Sequence, residues 1–168
     1  HNGRRAADST RRTPLYGPWR AIFTWPNGRE TTTTLDALGD LAGRDDELAD
    51  FSGVYRIETR LPLDPGARRS GVVLDLGVLH GLAVVRWNGA EVATLWHPPH
   101  RVDLAAELLR ETNALEIQVV TTLWNWCRTL TDNEPVMYWI RWSNWHQPLG
   151  PIRDREPSGL VGPVVLES

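Results

Sequence analysis

Not one lysine stands among the 18 basic residues of this 168-residue chain; every one is arginine. Arginine is the better residue for bidentate and stacked contacts, but so complete a bias reads most simply as the base composition of the gene. Cysteine is nearly absent as well. The single Cys127 excludes an intramolecular disulfide framework and a cysteine-rich zinc site. It leaves a secreted or a cytoplasmic location equally compatible, because a domain of this size folds without bridges. No apolar run approaches the roughly 20 residues that cross a bilayer, so no membrane partner is expected. The start, His1-Asn2-Gly3-Arg4-Arg5, lacks the apolar stretch of a signal peptide, so any such peptide is already gone or never existed. An excess of positive charge is missing too: the net charge of −3 argues against nucleic acid as a partner. Finally there is no Gly-x-Ser-x-Gly, no His-Glu-x-x-His and no phosphate loop, which removes several common enzyme classes.

What is abundant is tryptophan, nine against two Phe and three Tyr. A buried indole N–H wants a partner, so some of these rings are expected to serve a surface, and flat apolar sugar faces suit them. The first dozen residues, 1–12, hold Arg4, Arg5, Arg11 and Arg12 with almost nothing apolar, and read as a flexible arm or linker. The domain proper then runs over 13–168. Trp19 to Trp25 reads as a first strand closed by Pro26-Asn27-Gly28, and Thr31 to Thr34 as a second, edge-type one. The mixed, acidic stretch from Leu35 to Asp50 reads as a short helix or packed loop.

The centre of the chain is β in pattern. Tyr55, Ile57, Thr59 and Leu61 alternate with Arg56, Glu58 and Arg60, and Asp64-Pro65-Gly66 reads as the turn that ends the strand. Val72 to Leu74 and Leu82 to Trp87 follow. Asn88-Gly89 is the strongest short hairpin signal in the chain, with Glu91 to Trp96 as its return strand. Beyond Pro98-Pro99, Asp103 is placed to cap one helical turn through Leu109. Leu115, Ile117 and Val119 alternate again, and Met137 to Trp142 and Leu160 to Leu166 bring the total to roughly eight to ten strands. Short strands in this number, with little helix, specify an all-β fold: an antiparallel two-sheet β-sandwich or jelly roll. The long irregular stretch 124–157 is too rich in Trp to be disordered, and a long loop in a compact domain is usually functional.

Five phrases occur in a fixed order: Ser52-Gly53-Val54-Tyr55-Arg56, Leu74-Asp75-Leu76-Gly77, Asn88-Gly89, Trp96 to Asp103 with Pro98-Pro99-His100-Arg101 inside it, and Asn113 to Val119. Ser158-Gly159-Leu160-Val161-Gly162-Pro163 closes the series. This order resembles the galactose-binding-like jelly-roll domain of α-L-rhamnosidase-type glycoside hydrolases and the sugar-binding sandwich of family-two β-glycosidases, over about residues 15–168. Two departures stand out. The first Ser-Gly phrase is one residue short before its Tyr, and Asn125 to Asp132 replaces the family's usual turn after the Asn113 strand. The resemblance implies a non-catalytic accessory module. In that family the catalytic carboxylates lie in a separate, larger barrel domain, which makes carbohydrate and that catalytic domain the expected partners; the alternative is a purely structural domain whose Trp-rich surface docks on the catalytic domain.

Candidate contacts follow from the Trp-rich stretch. Trp126, Trp142 and Trp145 flank Asn125, Arg128, Asn144 and His146, a mixture suited to one stacked sugar ring with hydrogen-bonded hydroxyls; the competing role for these rings is to pack under the loop. Trp139, alternating with Met137, reads as core. No cofactor is required. The resemblance makes a structural calcium conceivable, and Asp45, Asp46, Glu47 and Asp50 form the densest group of oxygens for it, although a charge run is ordinarily a solvated face. His97 and His100 flank two prolines, which in an extended polyproline helix sets them about 9 Å apart, too far to share a zinc ion. Spacing does not exclude Asp132 with Glu134, or Asp154 with Glu156, as a carboxylate pair across a sugar cleft, but they read as solvated loop acids. A mature N-terminal His can bind copper, so His1 supports an alternative as a small copper-dependent polysaccharide oxygenase. The charged arm behind it does not look like an ordered first strand, and an arbitrary boundary explains His1 more simply.

Overall fold

The computed structural model describes residues 11–130 and 154–168. Among these residues every strand pairing is antiparallel. The larger sheet has six strands: β2 (Trp19–Thr24), β3 (Glu30–Leu35), β4 (Val54–Pro62), β7 (Leu82–Trp87), β8 (Ala90–Leu95) and β10 (Thr112–Val120), in the order β3-β2-β4-β10-β7-β8. Facing it is a four-stranded sheet of β1 (Arg12–Pro14), β5 (Val72–Asp75), β9 (Arg101–Leu104) and β12 (Val165–Glu167), ordered β1-β12-β5-β9. A separate pair joins β6 (Val78–His80) to β11 (Gly159–Gly162). The fold is the expected all-β sandwich.

Period-two alternation builds it. Trp19, Ala21 and Phe23 of β2, Tyr55 and Ile57 of β4, and Leu115, Ile117 and Val119 of β10 are buried in one cluster with Val72, Leu74, Val102, Leu104 and Leu166 from the opposite sheet. Because side chains alternate along a strand, the residues between these face outward. There Glu58 stands directly across from Glu116, a like-charge pair that would be unfavourable alone. Arg20 donates to Glu58 at 2.8 Å and Arg86 to Glu116 at 2.7 Å, while Arg56 pairs with Glu58 at 2.9 Å. The outer face of the smaller sheet is also charged: Arg101 pairs with Glu167, whose other oxygen lies 3.1 Å from Arg12.

Several local readings shift. Arg12, read as the end of an arm, is in β1 opposite Glu167, and Arg11 exchanges backbone hydrogen bonds with Ser168. Asp64-Pro65-Gly66 begins a short helix, α1 (Pro65–Ser70), rather than a plain turn. The Asp64 carboxylate accepts from the Ala67 amide at 3.0 Å and Pro65 sits where no helical N–H is needed. Asp103 caps nothing: it is a β9 residue opposite Val73, and the 3₁₀ turn Ala106–Leu108 behind it has no side-chain cap. Two 3₁₀ turns, Leu41–Gly43 and Glu47–Asp50, occupy the acidic stretch and are capped by Asp40 and Asp46. Asn88 and Gly89 both have positive φ, 52° and 86°, in the two-residue hairpin between β7 and β8. The expected Met137–Trp142 strand lies outside the described residues.

Candidate functional site

The Trp-rich stretch leaves the sandwich where β10 ends and β4 begins. Thr121 fastens this corner, its hydroxyl accepting from the Gly53 amide at 2.9 Å. The chain then turns into one helical turn, α2 (Trp124–Cys127). The buried Ser52 hydroxyl accepts from the Trp126 amide at 3.0 Å, satisfying an N–H that a four-residue helix leaves open. Asn125 is buried and makes a reciprocal pair with the returning chain: its Nδ2 donates to the Glu156 carbonyl at 2.8 Å and its Oδ1 accepts from the Glu156 amide at 2.9 Å. The indole of Trp124 donates to the Asp154 carbonyl at 3.1 Å. Further on, Ser158 donates to the Asp40 carboxylate at 2.9 Å, and its carbonyl accepts from Leu41. Both ends of the stretch are thus tied to the same corner.

Asp50 is the electrostatic centre of this corner. Arg155 donates to it through Nε at 2.8 Å and Nη2 at 3.1 Å, and Arg128 donates to the same carboxylate. The Arg155 hydrogen bond, seconded by Arg128, holds the Asp50 carboxyl below the usual aspartate range despite partial desolvation. Burial pushes the neighbouring Cys127 thiol up.

Of the residues expected to touch sugar, Trp126 is half-buried and packs against the core, and the Arg128 guanidinium is directed at Asp50. Trp142, Asn144, Trp145 and His146 lie outside the described residues, as do His1, Asp132 and Glu134. Of the calcium candidates, Asp46 caps Leu48 and takes two hydrogen bonds from Arg44 Nε, at 2.9 and 3.1 Å. Glu47 pairs with Arg29 at 2.9 Å, a guanidinium that also lies 4.4 Å over the Trp25 ring. Asp50 serves the two arginines above, and Asp45 is exposed. Among the described residues no group of three or more His, Cys, Asp or Glu side chains could hold a metal ion. His100 is buried and donates through Nδ1 to the Gly77 carbonyl at 3.0 Å, whereas His97 is exposed against the Trp96 ring. Asp154 and Glu156 are exposed.

Sequence reasoning missed Ser52 and Arg155, and it set Asn125 among the sugar-facing polar residues, whereas its buried amide is taken up by the Glu156 backbone. Ser52 carried a signal, since it opens one of the recurring phrases. Arg155 carried none, and nothing local announced the true partner of Asn125, because the partners lie 105 and 31 positions away.

No protein-family model matches the sequence, and no curated protein matches it. Solved structures do. A rhamnosidase from Novosphingobium sp. PP1Y superposes with a TM-score of 0.69 at 27% identity, over 98% of this chain and 16% of its own. A β-D-glucuronidase from Dictyoglomus thermophilum gives 0.59 at 16% identity, over 97% of this chain and 28% of its own. A β-glucuronidase from Ruminococcus gnavus gives 0.54 at 18% identity, over 69% and 23%. The two glucuronidases share the fold. The chain is structurally similar to domains of glycoside hydrolases and spans less than a third of any of these three proteins. No helix among the described residues is long and apolar enough to cross a membrane.

Proposed function

We propose that this chain is a non-catalytic accessory module of a larger glycoside hydrolase and that it recognises carbohydrate. The observation that carries the reading is the pairing of coverages: 98% of this chain superposes on only 16% of a rhamnosidase. What is alike is a whole sandwich, and most of that enzyme lies elsewhere. The chemistry of two of the phrases agrees, because it serves the sandwich itself: Ser52 and Gly53 fasten a corner through Trp126 and Thr121, and Asn88-Gly89 closes a hairpin. Sugar contact is assigned to the stretch leaving α2. Trp142, Asn144, Trp145 and His146 come first, since packing engages Trp126 and Asp50 engages Arg128.

The test is a titration of intrinsic Trp fluorescence with rhamnose-, galactose- and glucuronate-containing oligosaccharides, with calcium and with chelator, beside an assay of the chain alone on aryl rhamnosides and glucuronides. A saturable shift for one sugar class supports recognition. Silence across the panel removes recognition and leaves a domain that docks on its catalytic partner. Turnover by the isolated chain would overturn the non-catalytic part.

A further inference from the structure

The closing phrase Ser158 to Pro163 has a second face. Its last residues wall a surface hollow of about 350 Å³ that lies against β1 and the segment after β3, and Asp50, Arg128 and Arg155 are not among its lining residues. Trp19 and Val164 are buried at its floor, and Pro163, Leu38 and Val161 form its sides. Tyr16 stands on the rim with 81% of its surface exposed, the most exposed large apolar side chain among the described residues. Asp36 stands on the same rim, exposed, and among the described residues its carboxylate takes no hydrogen bond or ion pair. Asp45, Asp103 and Asp154 also have carboxylates without such a partner, but Asp36 is the acidic residue that lines this hollow.

The placement of Tyr16 beside Asp36 is fixed by the backbone. A Cβ added at Gly17 would lie 2.3 Å from the Asp36 carbonyl oxygen, so only glycine lets the segment after β1 lie this closely on the end of β3. The Leu15 amide donates to Val164 at 2.8 Å and fastens the other side.

We propose that this hollow is a carbohydrate-binding site that takes one neutral pyranose unit, with the Tyr16 ring stacked on a C–H face of the sugar and the Asp36 carboxylate accepting from its hydroxyls. The proposal rests on the reading that the module meets carbohydrate, and adds a second surface to it. The volume is that of a small-ligand pocket. An exposed Tyr16 ring at the rim of an apolar floor matches the C–H face of a pyranose, and an acceptor-only carboxylate matches hydroxyl donors. A lysine ammonium fits less well. Its compact, strongly hydrated charge would meet one carboxylate and otherwise apolar walls, which do not replace its water. A uronate would bring its own carboxylate against Asp36.

The experiment is ¹H–¹⁵N NMR of the labelled chain titrated with methyl α-L-rhamnopyranoside, methyl β-D-glucopyranoside, methyl β-D-glucuronide and butylammonium. The expected result is saturable shifts from at least one neutral glycoside, confined to the amides of Gly17, Trp19, Asp36, Leu38, Val161 and Val164, with the glucuronide weaker. Tyr16→Ala should weaken binding tenfold or more, Tyr16→Phe should restore it to within about threefold, and Asp36→Asn should weaken it severalfold. Both side chains are exposed, so each variant should keep the dispersed spectrum of the folded chain. No shift of these amides with either neutral glycoside overturns the proposal, as does a shift indifferent to Tyr16→Ala. Salt-sensitive binding of butylammonium in place of sugar would reassign the hollow to a cationic partner and equally overturn it. Each of these failures leaves the accessory-module reading standing, since that reading is judged by fluorescence and turnover.

Discussion

The Tyr55 hydroxyl accepts a hydrogen bond from the Leu160 amide at 2.7 Å, joining residues 105 positions apart inside the core. Tyr55 stacks on Phe23 with ring centroids 4.9 Å apart, so the ring holds the sheet while its oxygen holds β11. Burial raises the phenol well above its ordinary value, so it stays neutral throughout the physiological range.

Tyr55→Phe keeps the ring and removes the acceptor. The buried Leu160 N–H is then left without a partner, which costs about 1–3 kcal/mol. Urea unfolding of the variant should show that loss with an unchanged denaturant slope. Stability equal to the wild type would mean that water replaces the phenol.

Asp50 makes stability depend on acid in a defined direction. Its folded-state pKa is lowered, by the Arg155 hydrogen bond first. Its contribution is therefore complete above the unfolded value near ~3.9 and is lost as pH falls through the lower folded value. Asp50→Asn should destabilise the chain near neutral pH by ~0.5–1 kcal/mol, a small effect because the pairs are open to solvent. The gap between variant and wild type should stay constant above about pH 5 and close below the ordinary aspartate pKa. A gap independent of pH down to strong acid would show that Asp50 acts by shape and not by charge.

These pairs also mark how far the sequence could be read. Tyr55, Ile57, Leu115 and Val119 were legible as core because a strand puts every second residue on one face. Asn88-Gly89 was legible because both residues must adopt positive φ. Asp64-Pro65-Gly66 was ambiguous, since the chemistry that makes a turn also starts a helix, and the Arg68 amide donating to the Asp64 carbonyl at 3.2 Å is what makes it helical. Asp103 misled for the opposite reason: a side chain suited to capping was already committed to the β5–β9 ladder. Long-range charge is the least legible. Asp50 looked like one member of an acidic run, because nothing local announces arginines 78 and 105 positions later.

Gly77 and Gly89 separate two uses of glycine. Both have positive φ, 67° and 86°. A Cβ at Gly77 would lie 2.6 Å from the Gly162 carbonyl group, whereas one at Gly89 meets nothing within 4 Å. Gly89→Ala should therefore cost only the left-handed backbone penalty, about 1–2 kcal/mol. Gly77→Ala must also push the two backbones apart and should cost about 4 kcal/mol or more, or leave the chain insoluble. Thermal unfolding of the pair decides it; equal losses would refute a role for the close approach.

Asn113 ties the β7–β8 hairpin to the start of β10. It is fully buried, accepts from the Arg110 amide at 2.8 Å and from Asn88 Nδ2 at 3.0 Å, and donates to the Arg110 carbonyl at 2.7 Å. Asn88 in turn donates to the Leu108 carbonyl and accepts from Ala114. Asn113→Ala strips all three bonds from a dry site and should cost several times the ~1 kcal/mol of one ordinary hydrogen bond. Asn113→Asp keeps the oxygen that accepts both bonds but buries a charge and faces the Arg110 carbonyl with an acceptor, so it should destabilise most at neutral pH and recover as the carboxyl protonates. Because the two amides share one bond, Asn88→Ala and Asn113→Ala should not be additive. A double-mutant cycle is expected to return a coupling of about 0.5–3 kcal/mol. A coupling of zero would mean that hairpin and strand are held independently, and that the Asn-Gly and Asn-x-Leu phrases occur together for reasons other than this contact.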